Sequence, residues 1–208
     1  VIQFTSAEFT GPQPFVEFWL DTIAEWKRDA VSSRRKEAAT PLIALSTPRD
    51  VQDAILADPK RAALVDVIDL RYWWRTDKGD FTPGGGQNLA PRQFERQFRG
   101  GRPKDHNLAA MAAEYRAKFP AKPVLASVGE PVWAYLCAGG SLPNLPQTTD
   151  AKLLAAIPGM TPWRADDAKK QWSLREPGKQ VLIFTSGAAE VDLSGEPGAF
   201  SVTQVDMK

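Results

Sequence analysis

VDVIDLRYWW (65–74) is the stretch whose reading decides the fold. VDVIDL is a short run dominated by Val, Ile and Leu with two acids, Asp66 and, near its end, Asp69, and Arg71 and three aromatic residues follow at once. Its length and its β-branched content favour a strand covered on both faces over a helical segment. Upstream, PLIALS (41–46) has the same character, and between the two runs lies PRDVQDAILAD (48–58), whose spacing predicts a helix with Val51, Ala54 and Ile55, and Ala63 beyond it, turned inward. Further upstream, VIQFTSAEFTG (1–11) is a strand with Glu8 near its carboxyl end. Pro14 then suits the first turn of a helix, along which Phe15, Trp19, Ile23 and Trp26 form one apolar stripe before the charged run KRDAVSSRRKE (27–37). Downstream, NLAAMAAEYRAKF (107–119) is a strong helix with Asp105 or Asn107 as N-cap. PVLAS (123–127) is a fourth strand, PVWAYLCAG (131–139) a short apolar helix, SLPNLP (141–146) a further short strand, and DAKLLAAIP (150–158) a last helix.

Strands separated by helical crossovers imply an α/β fold with a parallel sheet and right-handed connections. Four or five such units are too few to close a barrel, which needs eight strands. From about residue 170 the character changes: QWSLREPGKQVLIFTSGAAEVDLSGEPGAFSVTQVD (171–206) is a series of short segments broken by Gly and Pro, with alternation at Val191 and Leu193 and at Phe200 and Val202. This predicts an antiparallel meander from a small, incomplete β-sandwich. The expected division is therefore residues 1–165 and 170–208. The absence of an initiator Met and the strand-like ending suggest a segment of a longer protein.

Composition narrows the function. The 208 residues are 43% hydrophobic and 25% charged, enough to bury a core. With 26 basic against 25 acidic residues, net charge gives no reason to expect nucleic acid or an anionic membrane as partner, and no run is long enough for membrane insertion. A lone cysteine, Cys137, cannot form an internal disulfide and reads as a small core residue. The segment 71–104, with six glycines and three prolines, exceeds ordinary connection lengths and reads as functional. Within it, Gly84-Gly85-Gly86-Gln87-Asn88 lacks the Lys and Ser or Thr of a phosphate loop. Arg92, Arg96, Arg99, Arg102 and Lys104 form a basic stretch that would grip an acidic sugar or a phosphate backbone if it were not simply a solvated face. The sole histidine, His106, sits at a helix start and builds no Ser/His/Asp set. No cluster has metal-ligand spacing and no cofactor is implied.

SAEFTG (6–11), VDVIDLRYWW, AYLCAGGSLPNLP (134–146) and GKQVLIFTSGAAEVDLSG (178–195) together resemble bacterial glycoside hydrolases of the apiosidase-like type. Those proteins join a (β/α)8 barrel to a C-terminal β-sandwich labelled collagen-binding. The resemblance implies the C-terminal half of a TIM-type barrel followed by a sandwich fragment, a carbohydrate substrate, retaining hydrolysis, a secreted or periplasmic location, and the missing N-terminal half-barrel as a structural partner. In that superfamily an Asn-Glu pair ending the fourth strand supplies the acid/base and an acid ending the seventh the nucleophile. Here the first position is held by Ala7-Glu8, without the Asn. If the opening strand is the fourth, PVLAS is the seventh, and Glu130 in SVGEP (127–131) falls near the nucleophile position.

Retaining chemistry needs two carboxyl groups about 5 Å apart, one protonated and one ionised. Each candidate has a plainer reading beside it. Thr5-Ser6-Ala7-Glu8 also fits a helix capping box, and Glu130 a first-turn acid at a helix N-terminus. Arg71, Tyr72, Trp73, Trp74 and Trp133 are the expected substrate-binding residues, since indole faces stack on sugar rings and Arg71 can hold a carboxylate. Alternate rings of the run could equally pack as core. Asp69 points either into the barrel mouth, where it would bind substrate, or at a helix. A non-catalytic carbohydrate-binding or scaffold protein of the same ancestry is the alternative to a hydrolase.

Overall fold

The computed structural model describes residues 2–5, 13–32, 41–82, 102–147, 149–166 and 168–205. In chain order the elements are β1 (Ile2–Phe4), α1 (Gln13–Ser32), β2 (Leu42–Leu45), α2 (Arg49–Ala57), α3 (Pro59–Ala62), β3 (Val67–Leu70), β4 (Trp74–Arg75), β5 (Phe81–Thr82), α4 (Asp105–Lys118), β6 (Val124–Ala126), α5 (Trp133–Cys137), α6 (Ala151–Ala156), a 3-10 turn (Ile157–Gly159), β7 (Thr161–Asp166), β8 (Gln171–Glu176) and β9 (Gln180–Thr185). The fold is α/β. Strands β1, β2, β3 and β6 form a four-stranded sheet in that spatial order, every neighbour parallel. β4 and β5 form a small antiparallel hairpin, and β7, β8 and β9 an antiparallel sheet of three strands.

The alternation of side chains along each strand separates two faces of the parallel sheet. Ile43, Leu45, Ile68, Leu70 and Val124 belong to one large core with Val16 and Leu20 of α1, Val51, Ile55 and Leu56 of α2, and Leu108, Met111, Ala112 and Tyr115 of α4. Ala44, Val67 and Leu125, with Ile2 and Phe4 packed on them, form a separate small cluster. Asp69 pairs in register with Leu125, so it shares the second face. Sequence-consecutive parallel strands place the connecting helices on one side, which is why nearly all the large buried side chains lie there.

The inward stripe of α1 is not the expected one. Val16 and Leu20 are the buried positions, Trp19 and Ile23 are half-buried, and Phe15 and Trp26 stand 48% and 46% exposed. Both sets of positions fit a 3.6-residue period, and polar ties select between them. Lys27 reaches Asp66 at the start of β3 (3.2 Å), while Arg61 of α3 lies 3.6 Å from Glu17 and 3.3 Å from Asp21. In α2, Val51 and Ile55 are buried as expected, but Gln52 and Leu56 join them and Ala63 is exposed. For α4 the N-cap is Lys104, whose backbone N–H donates to Asn107 Oδ1 (3.0 Å). Asp105 caps a different helix: its carboxylate accepts from the backbone N–H groups of Val132 (2.8 Å), Ala134 (2.7 Å) and Tyr135 (3.2 Å) at the start of α5.

SLPNLP forms no strand; it is irregular chain tied down by Ser141 N–H to Val124 O (2.7 Å) and Asn144 N–H to Pro131 O (2.7 Å). Gly140 lies flat under the Tyr135 ring, where a Cβ would come within 2.3 Å of it. The antiparallel tail sheet starts at Thr161, inside the region expected to be barrel, and its Trp172 and Leu174 are part of the large core. Val191, Leu193, Phe200 and Val202, expected in alternating strands, lie in chain without regular structure. Among the described residues no helix is long and apolar enough to cross a membrane.

Candidate functional site

Each parallel strand ends on a short polar side chain: Thr5 follows β1, Ser46 follows β2, Asp69 is the penultimate residue of β3, and Ser127 follows β6. Parallel registration aligns these ends, and the backbone hydrogen bonds Thr5 N–H to Ala44 O (3.1 Å) and Ser127 N–H to Leu70 O (3.0 Å) carry the pairing one residue past the strands. The result is a continuous hydrogen-bonded row along the carboxyl edge. Ser46 Oγ donates to Asp69 Oδ2 (2.6 Å) and Ser127 Oγ to Asp69 Oδ1 (2.6 Å). On the far side of Ser46, Thr5 Oγ1 donates to Ser46 O (2.9 Å) and accepts from Ser46 N–H (3.0 Å).

Asp69 is fully buried, and burial pushes its carboxyl above the ordinary aspartate range. The two serine hydroxyls and the Arg71 guanidinium oppose that shift without overcoming it. Asp69 therefore acts on its surroundings through the two hydroxyls it orients. Ser127 is the exposed end of the row, so its lone pairs face solvent while its proton is committed to Asp69. Beyond it, Gly129 adopts φ +71°, and a Cβ there would approach Pro103 Cγ and O to 2.8 and 2.9 Å. That close turn presents Glu130 at the surface immediately beyond the sheet edge.

Among the described residues the buried Thr47 Oγ1, next after Ser46, has no hydrogen-bond partner, nor has Trp133 Nε1 at the start of α5, nor Gln52 Nε2 on α2. Trp133 is therefore a buried ring with an unspent donor.

The remaining expected residues fall elsewhere. Glu8 lies outside the described residues, so its distance to Glu130 has no value here, and Gly84–Asn88, Arg92, Arg96 and Arg99 also lie outside them. Tyr72, Trp73 and Trp74 are buried and their rings pack as core, which replaces the expectation that they line a groove. Trp73 Nε1 donates to Gln52 Oε1 (2.9 Å), and the ring lies 5.7 Å from Phe81 and 5.8 Å from Tyr115. Arg49 closes the stack, its guanidinium 3.5 Å from the Phe81 centroid and 5.1 Å from that of Trp73 while it pairs with Glu114 (3.0 Å) and Asp53 (3.4 Å). Arg71 is half-buried beside the Tyr72 ring (5.6 Å). Asp77 binds Lys104 and lies 2.9 Å from His106, and hydrogen bonds from Lys104 above all, then from Asn107 and His106, hold its carboxyl down at about 2. Cys137 is buried, and desolvation raises its thiol to about 12, which makes it a poor nucleophile.

Ser46, Ser127, Thr47 and Gln52 were not singled out by sequence reasoning, and Thr5 entered it only as a capping residue. The repeated pattern of a hydroxyl residue closing an apolar run, in IQFT, LIALS and VLAS, was the available signal.

Comparison with known proteins gives a family and no function. The model of a family described as "Domain of unknown function (DUF6298)" matches residues 1–160, so the chain belongs to that family. Neither the curated proteins nor the solved structures give a match.

Proposed function

We propose that this member of the family is a carbohydrate-processing, glycoside hydrolase-like segment, built as the C-terminal half of a (β/α)8-type barrel with its site at the carboxyl edge of the parallel sheet. The observation that carries the reading is the segregation of that sheet. Helices cover one face, while Asp69, Ser46 and Ser127 converge at the strand ends on the other, where a barrel would have its mouth. Glu130, exposed just beyond Ser127, is the proposed nucleophile and Glu8, after β1, the proposed acid/base of a retaining reaction. Asp69 serves as a positioning residue, orienting hydroxyls toward a polyhydroxylated ligand. A secreted or periplasmic location belongs to the same proposal.

The test is hydrolysis by the full-length protein of an unactivated oligosaccharide and of the matching aryl glycoside. Glu8→Gln should suppress the first and largely spare the glycosylation step of the second, since an activated leaving group needs no proton. Glu130→Gln should abolish both. Unchanged hydrolysis of the unactivated substrate by either variant overturns the assignment.

A non-catalytic reading, a carbohydrate-binding or scaffold protein of the same ancestry, is favoured by a specific observation: Asp69 is sealed from solvent and does not itself meet a ligand. Under that reading both carboxylates cap or solvate, and the glutamine variants bind glycan as the wild type does.

A further inference from the structure

A cleft of about 600 Å³ whose lining does not include Asp69 lies between the outer face of α4, the end of α5 and the tail sheet. Its floor is made of alanines, Ala109, Ala110, Ala113 and Ala117, which leave the helix backbone nearly bare, and Trp163 and Trp172 form its wall. Three of its lining residues are charged, and all are arginines: Arg75, Arg116 and Arg164. Among the described residues none of the three forms a salt bridge. Arg116 spends one N–H on Lys122 O (2.9 Å) and is braced by Gly139, where a Cβ would come within 3.2 Å of its Cγ. Arg164 lies over the Trp163 ring at 4.2 Å, and Arg175 flanks the same ring at 5.0 Å. Glu196 neutralises Arg175 (2.5 Å) and the charge of Arg164 reaches Asp192, but among the described residues no carboxylate lines the cleft.

Like charges lining a concave, apolar-walled space that holds no carboxylate of its own are stabilised by an anion that enters. Guanidinium forks match carboxylates two bonds at a time. The volume falls in the range of small-ligand sites. We propose that this cleft binds a carboxylate-bearing saccharide, an oligouronate, as a second subsite outside the sheet edge. The choice of a sugar over other carboxylates rests on the carbohydrate reading above; the anion site itself does not.

The experiment is calorimetric titration of the full chain with trigalacturonate, with neutral galactotriose and with inorganic phosphate. Trigalacturonate should bind, more weakly as salt rises, and galactotriose and phosphate should bind at least about tenfold more weakly. The double variant Arg116→Gln, Arg164→Gln should lower trigalacturonate affinity by about tenfold or more, and Arg116→Lys, Arg164→Lys should recover only part of it, because lysine keeps the charge and loses the fork. Thermal midpoints show that both variants remain folded. Equal binding of galactotriose, equal binding of phosphate, no binding of trigalacturonate, or full affinity in the glutamine double variant each overturns the proposal. Glu130→Gln separates the two ideas: trigalacturonate binding that survives while hydrolysis is lost keeps both the cleft and the nucleophile, whereas trigalacturonate binding with hydrolysis unchanged keeps the cleft and removes the hydrolase assignment.

Discussion

Residues 69–74 and the outer surface of the molecule use the same residue types for opposite ends. Trp73, behind β3, is wholly enclosed by Gln52, Phe81, Tyr115 and Arg49, whereas Trp26 on α1 is 46% exposed and Phe18 on the same helix 69%. Asp69 is buried with its carboxyl pushed up; Asp77, on the turn of the β4–β5 hairpin, is solvated with its carboxyl held down. Residue type alone therefore decides neither role. What differs is the side of the helical layer on which each side chain falls: inside it, rings become filler and acids are desolvated, and outside it rings stay available and acids gather cations.

The largest effect belongs to the enclosed ring. Trp73→Ala removes an indole whose contacts span α2, β5 and α4 and leaves Gln52 Oε1 without its donor, so a loss of about 3–5 kcal/mol is expected in denaturant unfolding. A small loss would mean that the site collapses freely or that the ring is not core, and the contrast with α1 would fail.

Asp69→Asn probes the buried acid. A carboxyl whose folded pKa is raised contributes stability that is full below its unfolded value of 3.8 and is lost as pH rises through the folded value. The asparagine variant lacks this dependence, so the difference in unfolding free energy should shift in its favour between pH 4 and pH 7. Parallel pH profiles for the two proteins would show that the serine hydroxyls and Arg71 fully offset desolvation.

Trp26→Ser should be smaller still, within about 0.5 kcal/mol of wild type, since its ring already meets water. A loss comparable to that of Trp73→Ala would indicate that the exposed face of α1 is covered in solution, which sedimentation velocity would reveal as self-association.

The sequence made the sheet legible where short apolar runs stand alone. PLIALS, VDVIDL and PVLAS carry enough Val, Ile and Leu to be read as buried strands without knowing their partners, and helix-length spacers between them imply parallel pairing. Faces were harder. Along α1 the positions 15, 19, 23, 26 and 16, 20, 23, 27 both satisfy helical spacing, and only the long-range ties of Lys27 to Asp66 and Arg61 to Glu17 choose the second. The aromatic run after β3 misled for the same reason: Trp73 is core because residues from 49 to 115 meet around it, and a chain read locally cannot foresee them. Of the site, Asp69 and Glu130 were visible as acids near strand ends. The serines that hold Asp69 were not, because a hydroxyl closing an apolar run looks like an ordinary turn residue until registration puts it beside an acid.

Asp77 completes the contrast with the least effect. Its carboxylate accepts from Lys104 and His106 in full solvent, where water and salt weaken each interaction, so Asp77→Asn should reduce stability only slightly at neutral pH. The sign of its pH dependence is opposite to that of Asp69. A folded pKa of about 2 against 3.8 unfolded gives a contribution that is present above 3.8 and lost as pH falls toward 2, so the wild type and the variant should converge in acid. Raising the salt concentration at pH 7 should narrow the gap in the same way. A gap that persists at pH 2, or one indifferent to salt, would assign the effect of the substitution to the conformation of the hairpin turn rather than to the charge on Asp77.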